Sequence, residues 1–374
     1  MTAMNMHNDH RPTCFNRLTL AALAAWIAVG TLACSRNIKT FDNDVPAQFL
    51  SVVGAAPVAD GRPRFRQIFC ELLGQTPGGT GENVDCDGYI WRLADEGSAG
   101  GNDRPGPFHD PSFKILIVPG AFNDCFPELG PPFQESIERL RHLGYHIDII
   151  PVEGRSGTGR DAHLIAKRVS TETDNGDRRL MLIGYSKGVT DILHFLVDFP
   201  ELARRVAAVV SVSGAVNGSP LAEKFEGLYG RWFADALPTR CPPGDKRVIV
   251  SLERDVQMLW LASHPLPRQV AYFSLGTFTT RAGVARVLLP GYDLLAGLEP
   301  RNDGQLLFTD QVIPGSTLLG FANTDHWDIA LPVRRVHPFW GRPAGSGESP
   351  PFPRDILFEA MILTVIDKLM HFKP

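Results

Sequence analysis

The sequence has almost no excess of charge of either sign. Its 374 residues include 37 Lys and Arg against 41 Asp and Glu, which gives a formal net charge of −4. Proteins that bind a nucleic-acid backbone rely on an excess of basic residues, so this balance argues against that class. The chain also lacks a repeat with a period of about 20–50 residues, which argues against solenoids and propellers.

Motifs for metals and nucleotides are absent as well. No cluster of Cys and His has the spacing of zinc ligands, and no His/carboxylate spacing indicates another metal. Residues 154–159, GRSGTG, look like a phosphate loop but lack both the Lys-Ser/Thr ending and the GxGxxG spacing. We therefore expect a protein without metal or other cofactor.

The composition is that of a globular protein. Hydrophobic residues make up 44% of the chain and charged residues 21%, which argues against general disorder. A chain of this length can form one large domain or two ordinary ones, and it can bury a substantial core.

The N-terminus has the pattern of a targeting segment. Arg11 and Arg17 precede an uncharged run from Leu18 to Cys34, and Ala33 stands before that cysteine. This resembles a bacterial lipoprotein signal, in which the cysteine becomes the lipidated first residue. It implies export to the bacterial cell envelope, periplasmic or outer membrane, with residues 1–34 as signal peptide. An uncleaved membrane anchor is the alternative, at the short limit for spanning a bilayer.

Four cysteines remain beyond this segment. They are Cys70, Cys86, Cys125 and Cys241. An even number in an exported protein suggests two disulfides, and Cys70 with Cys86 is the favoured pair because the two flank a Gly-rich stretch. Three connectivities are open.

Regular patterning begins near residue 113. Residues 35–112 read as a loop-rich extension, whereas residues 113–374 alternate short apolar runs with helical patterns. Ile115–Val118 is such a run, as expected of a strand buried on both faces. Strands that alternate with helices predict an α/β fold, with a mostly parallel sheet and helices on both faces.

One motif carries a specific chemistry. The predicted strand Arg179–Ile183, apolar after its first residue, leads into Gly184-Tyr185-Ser186-Lys187-Gly188 and then into a predicted helix. G-x-S-x-G between a strand and a helix is similar to the nucleophile elbow of the α/β-hydrolases. This resemblance predicts the α/β-hydrolase fold and a nucleophilic Ser186, whose partners follow in the order acid, then histidine.

The remaining catalytic candidates follow from that order. His326 lies in a loop just after a predicted strand near the C-terminus, where the histidine of this fold belongs. Asn302-Asp303-Gly304 begins a segment that resembles the N-D-G-x-V-x-x-x-S stretch of lipase-type hydrolases, which assigns the acid to Asp303. The longer spacer in this chain leaves Asp310 as the alternative.

The resemblance also assigns an oxyanion hole and a cap. By alignment with lipase-type hydrolases, the backbone N–H groups of Ala121 and Lys187 are the donors, and Phe122 is the alternative first donor. Pro119 stands where the family has histidine. The segment after strand 206–212 resembles the start of the family's cap, which we expect at about 216–245. Within it, residues 225–238 form either a lid or a wall of the acyl pocket, or a helix that buries its aromatic residues in the core.

These observations predict an exported serine hydrolase that cleaves carboxylic esters, as esterases and lipases do. A small-molecule or lipid ester would be the substrate, and an N-terminal lipid the contact with the membrane. Thioesterase and acyltransferase are alternatives within the same fold, since a fold does not fix a reaction. A non-catalytic envelope lipoprotein that uses the fold as a binding module is the alternative from another class.

Overall fold

A computed structural model of the protein describes residues 57–76, 86–98, 112–172, 179–228, 242–333 and 352–371. The predicted signal segment with Cys34, residues 229–241 of the predicted cap, and Cys241 lie outside the described residues. The strands of the described part are β1 (Ala59–Asp60), β2 (Phe113–Val118), β3 (His146–Ile149), β4 (Arg179–Tyr185), β5 (Val206–Val212), β6 (Ala271–Phe278) and β7 (Thr317–Asn323).

The seven strands form one sheet in the order β1-β7-β6-β5-β4-β2-β3, and every neighbouring pair is parallel. The helices are α1 (Arg62–Gly74), α2 (Gln134–His142), α3 (Thr158–Ser170), α4 (Lys187–Asp198), α5 (Pro200–Ala203), α6 (Pro220–Leu228), α7 (Arg254–Ser263), α8 (Leu289–Ala296) and α9 (Arg354–His371). Parallel strands need crossover connections, and helices supply most of them here.

The apolar runs of the central strands serve two cores at once. In β2, Ile115 and Ile117 belong to a core that includes residues of α1, α2 and α9. Leu116 and Val118 belong to a second core on the other face, which includes residues of α3, α4 and α7. Successive side chains of a strand point to opposite faces, so a sheet covered on both faces requires the uninterrupted apolar runs seen in the sequence.

The part of the chain before β2 differs from the expectation of a loop-rich extension. Residues 62–74 form α1, and β1 pairs with β7 in the main sheet. Phe65 and Phe69 of α1 are fully buried in the same core as the sheet. The sequence signal was weak because α1 contains four polar or charged residues in its first six. These segments are therefore an integral part of the main core and its sheet.

A disulfide reinforces this region. Cys70 of α1 is bonded to Cys86, as the sequence favoured. The bond joins α1 to the segment 86–98, whose Trp91 N–H donates to the Phe321 carbonyl of β7. Pairing of Cys125 with Cys241 stays a prediction.

Within the part of the chain that the structure describes, no helix combines the length and the apolar character needed to cross a membrane.

Candidate active site

The turn between β4 and α4 fixes Ser186 in a strained conformation. Its φ of 55° lies in the left-handed region that L side chains rarely adopt. A Cβ on Gly184 would lie 2.7 Å from the Val189 backbone, and one on Gly188 would lie 2.3 Å from the Val118 carbonyl oxygen. Both positions therefore require glycine, and the serine is presented at the carboxyl end of the sheet.

Three side chains that are distant in sequence meet at this turn. The Ser186 Oγ lies 2.9 Å from His326 Nε2, and His326 Nδ1 lies 2.8 Å from Asp303 Oδ2. With the Nδ1–H donating to Asp303, Nε2 is free to accept the serine proton. The histidine and the acid are buried, whereas Ser186 is partly exposed. This is the geometry of a serine nucleophile with a base and an orienting carboxylate.

The carboxylate of Asp303 is held by several donors. Its Oδ1 accepts hydrogen bonds from the backbone N–H groups of Gln305 and Leu306, at 2.9 and 2.7 Å. Its Oδ2 accepts from Thr277 Oγ1 at 2.8 Å, in addition to His326. Donors to the charged form stabilise it in a buried position. The negative charge that orients the histidine is thus fixed in place.

Asp310, the other candidate acid, has a different partner. Its Oδ1 accepts a hydrogen bond from Arg254 at 3.0 Å. Burial raises the pKa of Asp310 to about 6, and the Arg254 charge opposes that rise. The structure therefore brings Asp303, and not Asp310, to His326.

The loop that carries His326 is fixed at both ends. The Tyr185 hydroxyl donates to the His326 carbonyl at 2.7 Å, and the two rings stack. The Asp325 carboxylate accepts from the backbone N–H groups of Trp327 and Asp328, at 3.0 and 2.8 Å. Asp325 therefore stabilises the turn around His326, whereas Asp303 is the carboxylate that orients the imidazole.

The two candidate oxyanion donors lie beside Ser186. Among the described residues, no acceptor is present for the N–H of Ala121 or of Lys187, so both are available to a ligand. The Phe122 N–H instead donates to the Gly154 carbonyl at 2.8 Å, which excludes it as the first donor in this conformation. A Cβ on Gly120 would lie 2.9 Å from the Ser186 Cβ, which shows how closely this loop approaches the nucleophile.

The side chain of Lys187 has a separate role from its backbone. Its ammonium is buried and lies 2.6 Å from Asp161 Oδ2 and 2.7 Å from Asp191 Oδ1. Burial alone would lower the pKa of Lys187, but the two carboxylates raise it. Burial raises the pKa of Asp191 to about 7, opposed by the Lys187 charge. A charged cluster thus lies directly beneath the nucleophile turn.

A cavity of about 510 Å³ opens onto these groups. Ser186, His326 and Ala121 line it together with mostly apolar side chains. The apolar part includes Phe126, Leu129, Leu221, Leu252, Val287, Leu288 and Trp327. A concave, largely apolar pocket with a few convergent polar groups is typical of a small-molecule site. Among the residues that the structure describes, no group of three or more His, Cys, Asp or Glu could hold a metal ion.

Comparisons with known proteins place the chain in a family. The metagenomic carboxyl esterase MGS0156 shares 32% identity with it, with a TM-score of 0.74, over 91% of this chain and 99% of that chain. The chain belongs to the α/β-hydrolase family. This confirms the fold predicted from the nucleophile turn. The likeness covers 91% of the chain and so extends beyond residues 113–374, where the regular pattern of strands and helices lies.

More distant solved structures are also similar. The lipase BlEst2 of Bacillus licheniformis in its mature form is 19% identical over 58% of this chain and 86% of that chain, with a TM-score of 0.47. In its propeptide form it is 20% identical over 58% of this chain and 47% of that chain, with a TM-score of 0.49. No protein-family model matches this α/β-hydrolase, and no curated protein does.

Several residues of this α/β-hydrolase site were not anticipated. Thr277 lies 26 residues from Asp303 in the chain, and no local pattern marks it. The contact between Lys187 and Asp191 has the i,i+4 spacing of an ion pair on a helix, so the sequence held a signal for it. Asp161 belongs to another helix, and only the packing of α3 on α4 brings it to the cluster.

Proposed function

We propose that this α/β-hydrolase is a serine esterase that cleaves carboxylic esters through an acyl-enzyme. One observation carries the proposal: Ser186, His326 and Asp303 form a continuous hydrogen-bonded chain that ends in an apolar cavity. The resemblance to a carboxyl esterase at 32% identity supports the same reaction class. A binding module would have no need of this arrangement.

In the first half of the reaction, Ser186 Oγ attacks the ester carbonyl carbon while His326 Nε2 takes its proton. Asp303 holds the imidazole in the required tautomer and stabilises the imidazolium that forms. The negative charge on the carbonyl oxygen is stabilised by the N–H groups of Ala121 and Lys187. Removal of one such donor typically lowers kcat by about 10²–10³-fold.

The tetrahedral intermediate then collapses, and the alcohol leaves with the proton from His326, which leaves the acyl group on Ser186. Water then attacks the acyl group on Ser186, and His326 accepts the water's proton. The second intermediate releases the carboxylic acid and returns the proton to the serine. Every proton moves between substrate, water, Ser186 and His326, so the reaction balances without a cofactor.

The cavity lining favours an apolar acyl or alcohol group. Side chains such as Leu129, Leu221 and Leu288 offer no hydrogen bonds, so they gain from the removal of apolar surface from water. We therefore propose esters with an aliphatic group as substrates, and we expect kcat/KM to rise as the acyl chain begins to fill the cavity.

The test is hydrolysis of p-nitrophenyl esters of increasing acyl length by residues 35–374. Ser186→Ala should abolish turnover and labelling by a fluorophosphonate, while Ser170→Ala, at an exposed helix end, is the matched control. Wild-type protein that neither cleaves an ester nor is labelled would refute the esterase and favour the binding module. Faster turnover of the matched thioester, or acyl transfer to an added alcohol in preference to water, would indicate a thioesterase or an acyltransferase.

We also propose that the protein is exported and anchored by a lipid on Cys34. The support is the sequence: a basic start, the apolar run Leu18–Cys34 and a small residue before the cysteine. A Cys70–Cys86 disulfide fits an oxidising compartment. Metabolic labelling with palmitate should mark the full chain, and Cys34→Ser should remove the label. Equal labelling of the two would refute the anchor.

A further inference from the structure

The buried carboxylate of Asp161 binds two parts of the site at once. Its Oδ2 lies 2.6 Å from Lys187 Nζ, and its Oδ1 accepts a hydrogen bond from the Glu153 backbone N–H at 3.1 Å. The side chain is 1% exposed, so both contacts are protected from water. Asp161 lies in the first turn of α3, between the nucleophile helix and the loop after β3.

Each contact leads to one half of the candidate oxyanion hole. Lys187 follows the nucleophile, and its own N–H is the second donor. Glu153 precedes Gly154, whose carbonyl accepts a hydrogen bond from the Phe122 N–H at 2.8 Å. Phe122 directly follows Ala121, the first donor, so this bond fixes the loop that carries that donor. A Cβ on Gly154 would lie 2.8 Å from Phe122, so this loop contact is close-packed.

We propose that Asp161 is a positioning residue that sets the spacing of the two oxyanion donors, Ala121 and Lys187, by linking their supports through its two carboxylate oxygens. This inference rests on the proposed esterase function. The two donors lie on separate segments of the chain, and a displacement of about 1 Å in a site can lower the rate by about 10²-fold. A rigid link between the segments therefore acts mainly on kcat.

Asp191 provides a matched control within the same cluster. It binds Lys187 Nζ at 2.7 and 2.9 Å but has no contact with Glu153 among the described residues. Asp161→Asn and Asp191→Asn each remove one carboxylate charge and leave Lys187 paired with the other. The amide introduced by Asp161→Asn can satisfy only one of the two donors that the carboxylate accepts, because its other end is itself a donor. Both variants thus remove one charge from the same cluster, and only Asp161→Asn interrupts the link between Lys187 and Glu153.

The experiment compares wild type, Asp161→Asn and Asp191→Asn on one p-nitrophenyl ester. We expect kcat of Asp161→Asn to be about 10- to 100-fold below wild type with KM changed little, and at least about tenfold below kcat of Asp191→Asn. A trifluoromethyl ketone, whose adduct with Ser186 carries an oxyanion, should lose affinity by the same factor. The matching secondary alcohol, which forms no adduct, should not. A general structural defect would instead weaken the binding of both the ketone and the alcohol.

A second pair of variants tests the link from its other end. Glu153→Pro removes the N–H that Asp161 accepts, whereas Glu153→Ala keeps it and removes only the side chain. We expect the proline variant to lose more kcat and more ketone affinity than the alanine variant. If Asp161→Asn does not fold, this pair of Glu153 variants tests the positioning role of Asp161 in its place.

The outcomes separate the two proposals. Equal kcat in the Asp161 and Asp191 variants, with equal ketone affinity, would overturn the positioning role while wild-type turnover keeps the esterase. A wild-type protein without turnover or ketone binding would refute the proposed function itself.

Discussion

Replacing Lys187 with methionine removes the cation from a fully buried cluster. The three side chains of Lys187, Asp161 and Asp191 are each 1% exposed, so water cannot replace the lost ammonium. Methionine has a similar length and fills the same space. The variant therefore isolates the charge and the hydrogen bonds of the ammonium from its packing.

The magnitude follows from the distances. At 2.7 Å and an effective dielectric constant of about 20, one Lys–Asp attraction is worth about 6 kcal/mol. In the intact cluster, the cost of burying the charged groups offsets most of this attraction. When the lysine is removed, the attraction is lost but the cost of burying the two carboxylates remains. Removal of one partner of a buried ion pair typically destabilises a protein by about 3–5 kcal/mol, which is the expected loss in free energy of unfolding at about pH 8.5.

The loss should shrink in acid. Without the lysine, the pKa of Asp161 and of Asp191 rises further in the folded state, so each carboxylate takes up a proton. From an ordinary value of 3.8, protonation costs about 1.6 kcal/mol at pH 5 but about 6 kcal/mol at pH 8.5. Burial has already raised the pKa of Asp191 to about 7 in the wild type, so at pH 5 this group is protonated in both proteins. Only the protonation of Asp161 then adds to the difference in unfolding free energy between the variant and the wild type at pH 5. The stability of the variant is thus lost as the pH rises, and the deficit near pH 5 stays below about 2 kcal/mol.

The assay is guanidinium chloride unfolding of Lys187→Met and wild type at both pH values. Lys167→Met, on the exposed face of α3, is the matched control and should change the free energy of unfolding by less than about 0.5 kcal/mol. Adding Asp191→Asn to Lys187→Met should recover part of the loss at pH 8.5. A deficit below about 1 kcal/mol at pH 8.5, or one that does not depend on pH, would refute the account of the cluster.

Three further predictions concern other parts of the site and core. Thr277→Val removes a donor to the charged Asp303, so we expect unfolding to become easier by about 1.5–3 kcal/mol and kcat/KM to fall about tenfold, measured by denaturation and ester hydrolysis. Gly188→Ala places a Cβ 2.3 Å from the Val118 carbonyl oxygen, so far-UV circular dichroism should find no folded protein; a folded, active variant would contradict the steric argument. Burial lowers the pKa of His194 to about 4, so the unfolded chain binds more protons between about pH 4 and 6.5, and stability is lost as the pH falls through that window. His194→Gln should remove up to about 3 kcal/mol of that loss, and identical pH profiles of unfolding would refute it.

The site was predictable where its chemistry is local. The turn Gly184–Gly188 carries its steric requirements in five consecutive residues, and His326 follows a strand that its apolar pattern reveals. The acid could be predicted less well. The resemblance at Asn302-Asp303-Gly304 favoured Asp303, but the longer spacer after it left Asp310 as an alternative. Only the packed structure separated the two, because Asp310 is bound by Arg254 from another helix.

The sequence by itself determined the alternation of strands and helices, since burial on two faces requires continuous apolar runs and tight turns require glycine. It also determined the nucleophile turn. The tertiary structure alone decided that the Phe122 N–H donates to a loop carbonyl and not to the oxyanion hole. It also decided that Thr277 donates to Asp303 and that Asp161 links Lys187 to the loop at Glu153. These contacts join segments that are far apart in the chain, and no local pattern encodes which distant donor will face a given acceptor once the sheet and its helices have packed.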